Sequence, residues 1–344
     1  MGCRVTIGMP VYNAEKYISR SIDTVLNQSF EEIELLIVDD CSTDSTVSII
    51  ERYQNTHPRG GCIRLLRQEK NAGPSAARNR IIKEAQGHFL YFMDADDTIL
   101  VNTISTLYET ARDYCMEVVY GSYKQIEAYD KYRNATYFEY PSIVFQEKGE
   151  LASYAYQKIG RFQAQVWNVL FNLEFLRNTG VQFIPARYLE DLAFTNDLVP
   201  FVSRAVLLPT ITYNYLCRPN TLSNYHVRDK ISRNEIEQTL FVMDHIKKGC
   251  IELRKAPYVG YRSYNVMMNC FYIVCHIINL RDKIYPTYSN EELQSIMYHP
   301  LSLGDIFRSH RKLFGNLILW SMNHLPLKLF MPAIKVMGKV KSAL

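Results

Sequence analysis

A chain of 344 residues, 47% apolar and 22% charged, can bury a sizeable core, and its even composition excludes a long disordered or repetitive segment. The net charge of +4 is unevenly spread: of the 39 Lys and Arg, seven follow Asp305, where no Asp or Glu remains, leaving 32 against all 35 acids. No apolar run is long enough to cross a membrane, and eight cysteines without a CxxC pair read as reduced thiols of a cytoplasmic protein.

The first residues, MGCRVT, formally fit an acylation pattern, but Val5 to Met9 reads better as a buried first strand. AEKYISRSIDTVLNQ follows, with Ile18, Ile22, Val25 and Leu26 on one helical face. IELLIV (33–38) is a near-continuous apolar strand of the kind buried on both faces, and it ends in the turn cluster DDCSTDST. A helix over 45–54 and a strand over 62–66 come next. EKNAGPSAARN opens a third helix, expected to stop at Gly87, and HFLYFM (88–93) is the fourth strand, closed by DADD.

Strand and helix in alternation predict an α/β fold with a doubly wound, mainly parallel sheet. In such sheets ligands bind beyond the carboxyl ends of the strands. PVYN, DDCSTDS and DADD all fall there, so they are expected to meet in one cleft. No GxGxxG follows the first strand, and no GxxxxGK[ST] occurs, which removes the main support for dinucleotide and P-loop readings. Asp94 and Asp96 would face the same way if the strand persisted, and paired carboxylates suit a hard cation such as Mg²⁺ or Mn²⁺. The competing reading of DADD is an Asp-rich turn before a helix.

TIGMPVYNAEKYISRSIDTVLNQSF, LLIVDDCSTDST, NAGPSAARN and FMDADD, in this order, resemble the family-2 glycosyltransferases of GT-A fold, and ARYLEDLAF (186–194) resembles the ED segment late in that family's catalytic domain. The resemblance implies an inverting, metal-dependent enzyme that moves one sugar from a nucleotide-diphosphate donor, a UDP-sugar, to an acceptor hydroxyl of a glycan or lipid-linked glycan. By resemblance Asp96 is the direct metal ligand and Asp94 shares the metal or holds the ribose. Asp39, supported by Asp40, would accept a hydrogen bond from the base. Pro10, Val11 and Tyr12 would wall the base and ribose beside Ala95, and Lys70, Arg78 and Arg218 would approach the nucleotide or its phosphates. Asp191 is the candidate general base and Glu190 its neighbour in the site; the competing reading is an acidic helix start. His226 is a further candidate metal ligand, and Trp167 lines the acceptor pocket or belongs to the core.

The catalytic domain is expected over 1–227 and a helical region over 228–344, with helices near 236–246, 261–280, 290–299 and 303–322. The acid-free tail, 306–344, mixes apolar and basic residues; it suits either an anionic membrane surface on the inner face or packing on its own body. A homodimer is a further option for this region, and no nucleic-acid partner is expected. A processive synthase would bring membrane spans and QxxRW, and a nucleotidyltransferase a Gly-rich basic first loop; neither signature is present. A non-catalytic carbohydrate-binding protein would not need DADD, Asp39 and the ED pair together.

Overall fold

The computed structural model describes residues 3–127, 135–158, 162–217 and 231–342. They divide into two compact units: Met1–Leu151 with Gln163–Thr221, and Ala152–Phe162 with Leu222–Leu344.

In the first unit, β1 (Val5–Val11), α1 (Ile18–Leu26), β2 (Ile33–Asp39), α2 (Thr46–Thr56), β3 (Ile63–Arg67), α3 (Pro74–Glu84) and β4 (Phe89–Phe92) alternate as the apolar spacing requires. After them come β5 (Thr98–Ile99), α4 (Thr103–Asp113), β6 (Val118–Glu127), β7 (Ala135–Phe138), β8 (Ile143–Phe145), β9 (Val169–Asn172), α6 (Leu173–Thr179), α7 (Glu190–Leu198) and β10 (Ala205–Cys217), while α5 (Glu150–Gln157), between β8 and β9 in the chain, falls mostly in the second unit. The described strands join in the order β3-β2-β1-β4-β9-β6-β10-β5, with β7 on β6 and β8 on β10. The first four are mutually parallel, β9 runs antiparallel between β4 and β6, and β10 is parallel to β6. The carboxyl ends of β1, β2, β4, β6 and β10 therefore point the same way, which is the doubly wound, mainly parallel arrangement expected. Every residue of β2 is buried, including Glu34, whose carboxylate is held by Thr6 Oγ1 and Arg64 Nε.

Two local departures from the sequence reading, at the third helix and the fourth strand, have simple causes. The third helix ends at Glu84, not at Gly87. Arg177, on α6, donates to the carbonyls of Ile82, Lys83 and Ala85 and satisfies the helix end from outside, so no left-handed glycine cap is needed. Gly87 serves close approach instead: a Cβ there would lie 2.5 Å from the Thr6 nitrogen. The fourth strand ends at Phe92, so DADD is a turn closed by Asp97 N–H donating to Asp94 O at 3.3 Å, not an extension of the strand. Trp167 is core: it stacks on Tyr213 and Tyr215 at 4.7 and 5.4 Å and is buried.

The second unit is helical: α8 (Arg233–Glu252), α9 (Val259–Asn279), α10 (Asn290–Ile296), α11 (Leu303–Ser309), α12 (Leu313–Met322) and α13 (Leu327–Ser342). The single helix expected over 303–322 is two, because His310 and Lys312 both take positive φ. No described helix is long and apolar enough to cross a membrane.

Candidate active site

The site is built on α3. Ser75, Arg78 and Asn79 stand at i, i+3 and i+4, hence on one helical face. That face holds the segment leading to α7: Ser75 Oγ donates to Ala186 O, and Asn79 exchanges hydrogen bonds with the backbone of Phe183 at 2.8 and 2.9 Å. Between them Arg78, only 5% exposed, passes over the Phe183 ring. Its Nη1 donates to Glu190 Oε1 at 2.7 Å and lies 3.3 Å from Asp191 Oδ1, while Nη2 donates to Asp94 Oδ1 at 3.2 Å. One guanidinium thus ties the DADD turn to the start of α7. The helix start was expected to be acidic for its own dipole; here its two acids also share a buried cation.

Three carboxylates around one guanidinium leave an excess of negative charge, and Asp96 and Asp97 add to it. Carboxylate oxygens of Asp94, Asp96 and Asp97 all lie within 4.8 Å of one another. The consequence appears in two acids. Burial, helped by Asp94, pushes the Asp97 carboxyl up to about 7. Burial also raises Asp191, against the pull of Arg78, with Glu190 and Asp94 adding to the rise. Asp191 Oδ1 is buried and makes no hydrogen bond of good geometry, although 17% of the side chain stays accessible. A buried, unsaturated acceptor of this kind is costly unless a ligand hydrogen reaches it.

The turn itself is fixed from behind. Ser21 Oγ reaches the carbonyls of Ala95 and Asp97 at 2.7 and 2.8 Å, and Arg20 Nη2 donates to Asp96 O at 3.0 Å. Asp97 is no open ligand: Tyr213 Oη donates to its Oδ2 at 2.7 Å and the Leu216 N–H to its Oδ1 at 2.8 Å, so it pins the turn to β10. Asp94 and Asp96, partly exposed, are the two oxygen donors the cluster presents outward. Hard carboxylate oxygens with room for further oxygen ligands fit Mg²⁺ or Mn²⁺. Ser21 and Tyr213 went unnoticed in the sequence. The signal for Ser21 was a polar residue on the apolar face of Ile18, Ile22 and Val25; Tyr213 had none.

The remaining candidates separate into two groups. Pro10 and Val11 close β1, and Tyr12 stands just past its end, 50% exposed. Asp39 closes β2 fully buried; its carboxylate accepts from the Ser42 N–H at 3.2 Å and faces Arg67 Nε at 3.7 Å. Asp40 accepts from Gln68, Ala72 N–H and Gly73 N–H, so it anchors the loop into α3, where Gly73 takes φ +85°. Lys70 is exposed on that anchored loop. Arg218 and His226 lie outside the described residues.

Residues 6–165 match the model of glycosyl transferase family 2. The glycosyltransferase GlyG of Streptococcus pneumoniae is 32% identical over 37% of this chain and 41% of its own length. The uncharacterized glycosyltransferase EpsJ of Bacillus subtilis is 30% identical over 64% of this chain and 62% of its own. The chain thus spans less than two thirds of these relatives. In fold it is similar to residues 1–349 of Staphylococcus aureus TarS, solved with UDP-GlcNAc, at a TM-score of 0.60 and 19% identity over 93% of this chain and 90% of that one. The mannosyltransferase PcManGT of Pyrobaculum calidifontis, solved with GDP-Man and Mn²⁺, gives a TM-score of 0.54 at 16% identity over 94% and 87% of the two chains. The motif order, the mainly parallel sheet and the matched model agree: residues 6–165 of the chain carry a glycosyl transferase family 2 domain.

Proposed function

We propose that this chain transfers a single sugar, with inversion, from a UDP-sugar to a hydroxyl of a glycan or lipid-linked glycan. The observation that carries the reading is the junction at Arg78: one buried guanidinium joins Asp94, of the carboxylate cluster Asp94–Asp96–Asp97, to Glu190 and Asp191. Asp94 and Asp96 would hold the divalent cation, and the ion, when bound, would offset charge building on the leaving diphosphate. Asp191 takes the proton of the attacking hydroxyl through the part of its carboxylate that stays accessible, while Oδ1 faces Arg78; its raised proton affinity suits a base working near neutrality. Glu190 and Arg78 hold that carboxylate in place. Pro10, Val11 and Tyr12 flank the base and ribose. Asp39 accepts from the base once the exposed Arg67 side chain swings aside, and Asp40 acts through the loop that carries Lys70.

The neighbours solved with UDP-GlcNAc and with GDP-Man and Mn²⁺ support a nucleotide-sugar donor and a divalent ion. The test is incubation with a panel of UDP- and GDP-sugars, with and without Mn²⁺, followed by analysis of the nucleotide released. Free UDP, formed only with the ion, is the expected result. Pyrophosphate, or no turnover with any donor and ion, rejects the reading.

A further inference from the structure

Helix α12 is mounted with a polar residue inward and large apolar residues outward. Asn316 is fully buried: its Nδ2 donates to Gly260 O at 2.9 Å, and its Oδ1 faces Ser263 Oγ and His299 Nε2, both at 3.1 Å. A saturated buried amide fixes the helix's rotation, because turning it outward would leave these partners unpaired. The opposite face therefore stays exposed, with Phe314 at 80% and Ile318 at 50%, one turn apart. Arg311 and Lys312, immediately before the helix, are exposed beside them. Helix α13 repeats the pattern. Phe330 and Ile334 are buried, while Leu329 and Val336 lie outside among the exposed Lys328 and Lys335.

We infer that the outer faces of α12 and α13 dock this unit on an anionic lipid bilayer, with Phe314 and Ile318 entering the headgroup–acyl boundary and Arg311, Lys312, Lys328 and Lys335 meeting the headgroups. Charge decides between occupants. Seven bases and no acid follow Asp305, so an isologous contact with a second copy would set like charges against each other. An anionic surface gains from Arg311, Lys312, Lys328 and Lys335, and the apolar pair gains from the acyl region but not from nucleic acid.

The experiment is co-sedimentation of the full chain with phosphatidylglycerol–phosphatidylcholine vesicles and with pure phosphatidylcholine vesicles. Binding to the anionic vesicles only is expected, falling at least about tenfold for Phe314→Ser/Ile318→Ser and for Arg311→Glu/Lys312→Glu, each checked for unchanged thermal unfolding. Three results overturn the inference: no binding of the unaltered chain to anionic vesicles, binding untouched by the Phe314→Ser/Ile318→Ser pair, or light scattering that shows a dimer which that pair dissociates.

Discussion

Arg78 and Glu190 are 112 residues apart in the chain and 2.7 Å apart in the fold. This contact, with those to Asp94 and Asp191, joins the two halves of the site through one buried guanidinium.

Arg78→Met is expected to unfold at lower temperature, because it strips the cation from three partly buried carboxylates; loss of one partner of a buried pair costs about 3–5 kcal/mol. Arg78→Lys keeps the charge but not the fork that reaches both Asp94 and Glu190, so it should recover stability more than turnover. Thermal unfolding and steady-state rates on both variants check this; equal behaviour of Lys and Met would contradict it.

Asp191→Asn should bind donor as before and lose transfer by about 10²–10⁴ in kcat, the usual contribution of a positioned base. Donor titration followed by single-turnover transfer separates the two steps. Near-normal turnover would remove Asp191 from the role.

Asp96 and Asp97 sit side by side and should fail differently. Asp96→Ala is expected to weaken Mn²⁺ binding at least about tenfold, since its carboxylate is one of the clustered oxygen donors. Asp97→Ala should instead destabilise the fold, since it leaves Tyr213 Oη and the Leu216 N–H without their acceptor. Calorimetric Mn²⁺ titration and melting of both variants would show the split.

Asp97 also predicts a pH slope. Its folded carboxyl holds a proton up to about 7, against an ordinary 3.8, so the native state binds the extra proton between those values. Its stabilising contribution is complete below about pH 4 and lost as pH rises through 7, a change on the order of 4 kcal/mol. Melting temperature across pH 4–8 should show this decline, and Asp97→Asn should flatten it.

The motifs that read directly from the sequence are those whose physics is local. β1 to β4 announce themselves by apolar period, and PVYN, DDCSTDS and DADD by their position at strand ends. What stayed hidden depends on distant partners. The acids of DADD converge through a turn rather than a continued strand, because Ser21 and Arg20 on α1 hold its carbonyls. Asp97 is a brace because β10, more than a hundred residues later, supplies its donors. Arg78 is engaged by carboxylates of DADD and α7 that local spacing does not bring to it. The break at His310–Lys312 falls in the polar run RSHRK (308–312), which a solvated helical face could also carry, with no Gly or Pro at those positions to mark it.

The most direct test is anomalous scattering from manganese in a crystal soaked with UDP and Mn²⁺. The account predicts a peak about 2.1 Å from an Asp96 carboxylate oxygen, bridging to the diphosphate, with Asp191 across Arg78 on the acceptor side. A well-ordered UDP whose diphosphate lies away from Asp94 and Asp96, with no manganese between them, would contradict it.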